Sequence, residues 1–218
     1  VHDRRPRDPP ARQHVVLDVG NRLAPGVLDH HQFRANTSAT QLVFENPQYV
    51  LDWVERKEAP VTLVVHTMPD IDCAAAVFLT VHLLENGALD PAWKTLVEHV
   101  TLHDQGTVVP YRPESPTPYF YYQFLWLHAE SLHSGKENSF ANCFQTFWNL
   151  VFQLFGSVAQ HLQEHPGADH RLYDAVPDRE PFFSIRGNIR ADWQNYQYLM
   201  DEIHAVRMFP VYVQQQGT

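Results

Sequence analysis

The chain has 218 residues, 44% hydrophobic and 19% charged, which is apolar enough to bury a core and too apolar for a disordered protein. Its formal net charge of -9 argues against a broad basic face for long duplex nucleic acid, whose affinity rests on Lys and Arg contacts to phosphate. The apolar runs Thr62 to Val65 and Ala74 to Leu79 are far shorter than the roughly 20 residues that cross a bilayer, so no membrane span is expected.

Residues 1–12, rich in Arg, Asp and Pro, read as a flexible lead-in without the apolar run of a secretory signal. His14-Val-Val-Leu-Asp18 is a short β-branched and apolar run that ends in a carboxylate, as a buried parallel strand emptying into a loop would. Eleven residues later Gly26-Val-Leu-Asp29-His30-His31 repeats the arrangement. A helical pattern begins at Ala39 with Thr37 or Ser38 as its cap, and Pro47 starts another through Val50 and Trp53. Val61 to Val65 is the clearest strand and runs directly into His66, with Asp70 and Asp72 in the loop behind it. Asp72-Cys-Ala-Ala-Ala-Val-Phe-Leu reads as a helix opened by an acid, which suits the positive end of the helix dipole. A helix from Pro91 to about Leu102 delivers His103-Asp104-Gln-Gly106, where Gly stops it.

Past Asp104 the chain changes character. The Pro-rich segment Pro110 to Pro118 leads into aromatic helical stretches around Tyr119 to His128 and Phe140 to Gln163. In the second of these, Phe144, Phe147, Trp148, Val151, Phe152 and Phe155 make a broad face that reads as core. A last helix spans roughly Ile189 to Val206, and Met208 to Val213 follows as an edge strand, since Pro210 lacks a ladder donor. Only Cys73 and Cys143 occur, too few for a disulfide framework or a thiolate zinc site, so a reducing cytoplasm is the expected setting. The expected fold is α/β, a mainly parallel sheet with helices on both faces and a predominantly helical second half. Residues 13–109 then form a metal-binding core, and residues 110–218 complete or cap the same domain.

The recurring event is an apolar strand that ends in Asp or His. Ligand sites of open α/β sheets lie outside the carboxyl ends of the strands, so Asp18, Asp29-His30-His31, His66, Asp70 and Asp72 should converge there. Mixed carboxylate and imidazole donors suit Mn²⁺, Fe²⁺, Co²⁺ or Zn²⁺ better than Ca²⁺. His99, His103 and His128 read as surface or internally satisfied histidines, and Asp72 taken alone as a helix cap.

These residues resemble the motifs of the DHH phosphoesterase superfamily, whose members include RecJ-type exonucleases, oligoribonucleases and family II pyrophosphatases. Asp29-His30-His31 is similar to the naming triplet, His66-x-x-x-Asp70-x-Asp72 to the paired-aspartate motif, Asp18 to the lone metal-bridging aspartate and Asp104 to the last ligand. The resemblance spans roughly residues 14 to 106, with the triplet ahead of the His-x-x-x-Asp-x-Asp motif as in a circular permutation. It implies two divalent ions, manganese foremost. One would lie on His66, Asp70 and Asp18, the other on Asp72, His30, Asp104 and the shared Asp18, with water between them as the nucleophile. It further implies that His31 stands beside the phosphoryl group and that Asp29 orients His30. Arg186 and Arg190, at i, i+4, are candidates to grip substrate phosphate. The expected activity is hydrolysis of a phosphoester or phosphoanhydride in a small phosphorylated or short nucleotide substrate. An inorganic pyrophosphatase and an inactive scaffold module are the alternatives.

Overall fold

In the computed structural model, residues 13–32, 36–54, 60–67, 69–106, 117–169, 171–172 and 175–191 are described. The lead-in 1–12, most of the Pro-rich segment, the end of the last helix beyond residue 191 and the expected strand Met208 to Val213 lie outside them. No helix among the described residues is long and apolar enough to cross a membrane.

Four short strands form one sheet: β1 (His14–Leu17), β2 (Leu23–Ala24), β3 (Val27–Leu28) and β4 (Thr62–Val64), in the order β2-β3-β1-β4. β1 pairs in parallel with β3, through Val16 with Val27, and with β4, through Val15 with Leu63. β2 pairs antiparallel with β3, so the sheet is mixed where the sequence leads one to expect a mainly parallel one. The cause is the short link from Asp18 to Gly26. It is too short for the crossover helix that normally joins parallel neighbours, and the chain returns along β2 at the sheet edge instead.

Gly26 makes this return possible. Its φ is +76°, and a Cβ there would lie 2.2 Å from the indole nitrogen of Trp53, which donates a 3.0 Å hydrogen bond to the carbonyl of His14. Only a residue without a side chain admits both the backbone angle and the indole.

The helices are α1 (Ala39–Glu45), α2 (Gln48–Leu51), α3 (Ile71–Asn86), α4 (Lys94–Asp104), α5 (Pro118–His133) and α6 (Ser139–Glu164), with residues 182–191 helical as well. Ser38 caps α1 by accepting from the N–H of Gln41. Asp70, not Asp72, caps α3, accepting from the N–H of Cys73 at 2.9 Å. The last helix begins before the expected Ile189, at residue 182, because Phe182, Ile185 and Ile189 recur on one buried face.

α1 and α3 pack together and against the central strands, burying Val15, Leu17, Leu28, Ala39, Val43 and the run Cys73 to Leu79. On β4, Thr62 and Val64 stay exposed, so the described helices do not cover both faces of the sheet. The same apolar cluster continues through Tyr121, Leu125, Phe147, Leu154 and Phe155 to Ile189, so α5, α6 and the final helical residues share the core of the sheet layer. Both cysteines are free and buried.

Candidate metal centre

β3, β1 and β4 are neighbours and run the same way, so their carboxyl ends open onto one edge of the sheet. Asp18 follows β1 directly, Asp29 to His31 follow β3, and His66 lies two residues past β4. α3 brings Asp70 and Asp72 in its first turn, and α4 ends on Asp104. Asp18 leaves its strand with φ +60°, a left-handed conformation that Asp tolerates better than most residues and that is over-represented at functional sites.

The convergence is close. Asp18 Oδ1 lies 3.3 Å from His30 Nε2, and Asp18 Oδ2 lies 3.3 Å from His66 Nε2. His30 Nε2 also faces Asp72 Oδ2 at 3.6 Å and Asp104 Oδ2 at 3.7 Å, while His66 Nε2 faces Asp70 Oδ1 at 4.0 Å. Two groups therefore share Asp18, one built with His30, Asp72 and Asp104, the other with His66 and Asp70. Neighbouring ligand atoms that sit roughly 2.1 Å from one ion stand roughly 3.0 to 3.4 Å apart, a range that the two Asp18 pairs meet and the other three, at 3.6, 3.7 and 4.0 Å, exceed.

Asp18 Oδ1 and His30 Nε2 are buried and make no hydrogen bond. Buried polar atoms almost always have partners, and two orphans that face each other across 3.3 Å are what ligands of a cation look like without the cation. Three sets of side chains can each close on one point, Asp18 with His30 and His31, Asp18 with His66 and Cys73, and His30 with Asp72 and Asp104, and their carboxylate and imidazole donors fit a divalent ion of the Mn²⁺ to Zn²⁺ series. Cys73 also belongs to this neighbourhood, its sulfur within 4.8 Å of ligand atoms of Asp18 and His66. Sequence spacing alone did not single it out.

Crowding shapes the electrostatics. Burial pushes Asp104 up to about 6, helped by the nearby charges of Asp70 and Asp18, and burial likewise raises Asp72 and Asp70, with Asp18 adding to both. His30 is held up to about 9: burial opposes its charge, but the carboxylates of Asp18, Asp104 and Asp72 outweigh that opposition. Crowded carboxylates of this kind favour positive charge among them.

Supporting bonds fix the ligands. Both oxygens of Asp72 accept from the first amides of α1, Ala39 N at 2.7 Å and Thr40 N at 2.8 Å, and the Thr40 hydroxyl donates to the carbonyl of Asp72. Asp72 is a helix cap after all, but for α1 and not for its own helix, and its Oδ2 still faces His30. Ser38 and Thr101 hydroxyls meet at 2.9 Å and tie α1 to α4 one turn before Asp104. The Tyr122 hydroxyl donates to the carbonyls of Pro69 and Asp70, anchoring that loop to α5.

Asp29 meets a different histidine from the one expected. Its carboxylate accepts from Asn21 N at 2.6 Å and His31 N at 3.0 Å, and sits 2.6 Å from His31 Nδ1. Asp29 therefore orients His31, whose half-exposed ring keeps Nε2 free of that contact, and not His30. His30 points into the cluster, while His31 folds back on Asp29 and its Nδ1 stays 3.7 Å from Asp18 Oδ1 at the cluster's edge, a distinction that no spacing rule supplies.

The structure does not bring Arg186 to this cluster through its described contacts. Its Nε donates to the Tyr121 hydroxyl at 2.5 Å, and its guanidinium lies 6.0 Å from the rings of Tyr121 and Phe183. Arg190 is on the exposed side of the same helical stretch. His103 stacks on Tyr119 with ring centres 3.9 Å apart and planes 10° apart, so it belongs to an aromatic wall beside Asp104. Compared with family models, with curated proteins and with solved structures, the chain finds no match.

Proposed function

We propose that the chain is a metal-dependent phosphoesterase of the DHH type, hydrolysing a phosphoester or phosphoanhydride in a small or nucleotide-type substrate. The observation that carries this reading is Asp18, whose two oxygens each lie 3.3 Å from a different histidine, the arrangement of a carboxylate shared by two ions. His66, Asp70 and Asp18 would hold one ion, and His30, Asp72, Asp104 and Asp18 the other. Divalent ions bound there, manganese foremost, would supply Lewis acidity toward the phosphoryl oxygens and a water made nucleophilic at neutral pH.

The chain's own residues do the rest. Asp29 holds the proton on His31 Nδ1 and fixes the ring, so that Nε2 is the atom that can give a proton to a departing alkoxide or take one from water. Asp72, locked by the α1 amides, and Asp70, locked by the α3 cap, hold their carboxylates in place without induced movement.

The alternative of an inactive module and the activity are separated by one experiment. The purified chain is freed of metal, loaded with manganese, assayed for bound metal, and given a panel of phosphorylated compounds. Bound manganese near two equivalents with turnover supports the reading; a chain that takes up no divalent ion and hydrolyses nothing defeats it. Pyrophosphate belongs in the panel, where its turnover relative to phosphoesters separates the pyrophosphatase alternative.

A further inference from the structure

Beside the cluster a cavity of about 410 Å³ opens between the start of α3, the end of α4, α5 and α6. Asp70 and Asp104 form part of its lining and also face the histidines of the cluster, so the cavity borders the ion positions through these two carboxylates. The remaining wall is largely aromatic. Tyr119 lies flat on His103, Tyr122 is tied to the Asp70 loop, and Trp126 meets Phe147 edge-on with ring centres 5.6 Å apart. These rings are held by one another and by core packing, so the shape is present before a ligand arrives.

Among the described residues the lining contains neither Lys nor Arg. A second phosphate placed here would face Asp70 and Asp104. A planar ring gains apolar burial instead, and stacking on an aromatic wall tolerates any ring with a π-face. The volume lies at the small end of the roughly 300 to 1,000 Å³ typical of ligand pockets, room for one ring-bearing molecule and not for an oligomer.

We propose that this cavity binds the planar aromatic group of a phosphomonoester or phosphodiester whose phosphorus sits at the Asp18 cluster. The inference rests on the phosphoesterase reading above and narrows it: the substrate carries an aromatic ring next to its phosphoryl group. A nucleobase and a simple aryl group share this chemistry.

The test is equilibrium binding to the manganese-loaded chain, with bound metal measured on the same sample. Phenylphosphonate and methylphosphonate form one pair, AMP and ribose 5-phosphate another; within each, the phosphoryl end is alike and only the ring differs. Phenylphosphonate is expected to bind at least about tenfold more tightly than methylphosphonate, in line with what one stacked ring contributes. Trp126→Ala should erase that preference while leaving methylphosphonate affinity as it was, which also certifies the folded site, and Trp126→Phe should keep most of it. A preference in the phenyl pair alone upholds the inference with an aryl occupant, and one in the AMP pair with a nucleobase. Equal binding within both pairs, or a Trp126→Ala variant that keeps the full preference, overturns it and leaves the phosphoesterase reading standing. If a chain carrying manganese binds none of the four, that reading fails and the inference falls with it.

Discussion

The edge of the sheet and the aromatic wall opposite it are built in different ways. Every ligand candidate at the sheet edge is placed by backbone: Asp18 by the end of β1, His30 by the end of β3, His66 by the end of β4, Asp70 and Asp72 by the first turn of α3. The wall is placed by side chains reaching between helices, as with Trp126 of α5 against Phe147 of α6. Chemistry fixed by backbone survives in the local order of residues and can be read along the chain. Chemistry fixed by packing exists only once the helices have docked.

The largest effect that tests this comparison is expected from Asp18→Asn. Asn keeps the shape and tolerates φ +60°, but lacks the charge that both histidine groups share. Metal content should fall toward zero and turnover by more than about a thousandfold, several kcal/mol of transition-state stabilisation. A variant that keeps both ions would contradict the sharing of Asp18.

The acids and His30 also set a pH dependence of a definite sign. Asp104 rises to about 6 on folding, so the metal-free folded chain binds a proton that the unfolded chain has already lost above its ordinary value of 3.8. That stability is present below about pH 4 and is lost as pH rises through 6. His30, raised from 6.5 to about 9, behaves alike: its contribution is complete below 6.5 and gone above 9. The melting temperature in a chelator should therefore fall from pH 4 to pH 9, by an amount on the order of a few kcal/mol in stability. Manganese must displace these protons, so its stabilising shift should grow with pH. A flat or rising profile in chelator would mean that the carboxylates are not crowded as described.

Gly26→Ala probes the hairpin that allows the two central strands to lie in parallel over so short a link. The added methyl would overlap the Trp53 indole and demand a positive φ from Ala. A loss of about 2 to 4 kcal/mol is expected by chemical denaturation, from overpacking together with the backbone angle. A smaller penalty for Gly26→Ala in a Trp53→Ala background than in the native chain would confirm the indole as an obstacle.

Asp29→Asn is expected to do less to activity than Asp18→Asn, lowering it roughly 10- to 100-fold with metal retained, since Asp29 acts through His31. Its particular signature is a fall in turnover without loss of metal, because the ring of His31 loses the carboxylate that orients it. Loss of both ions in Asp29→Asn would make Asp29 part of the metal centre instead.

How much was legible follows the same division. Asp18, His30, His66, Asp70, Asp72 and Asp104 could be gathered from three strand ends and two helix ends, and the structure brings them together. The strand β2 was not legible, because two residues carry no periodicity; it is imposed by the short Asp18 to Gly26 link. Nor was the partner of Asp29, which depends on ring orientation. Phe147, read as core from its helical spacing, is buried and also lines the cavity, so one residue serves both ends. Tyr119, Tyr122 and Trp126 carried a signal only as an aromatic run past a Pro-rich segment, and which of them faces the acids depends on how α5 is rolled against α6.

Arg186 gives the smallest expected effect and the sharpest contrast between the two ways of reading. In sequence, two arginines at i, i+4 beside a metal motif invite a phosphate-binding role. In the structure Arg186 is half-buried, donates to the Tyr121 hydroxyl and lies near two rings, while Tyr122, the next residue of α5, turns toward Asp70. Successive residues of a helix point about 100° apart, so the tyrosine that holds Arg186 and the one that anchors the Asp70 loop face different neighbours. Arg186→Ala should then lower stability by about 1 to 2 kcal/mol, from the lost hydrogen bond and the ring contact, and leave KM for the substrate within about twofold. Arg186→Lys should recover little, because a lysine ammonium lacks the planar Nε–H that meets Tyr121. A rise in KM of tenfold or more with unchanged stability would reverse the assignment, place the guanidinium at the phosphate, and show that the aromatic wall and the arginine serve the same ligand.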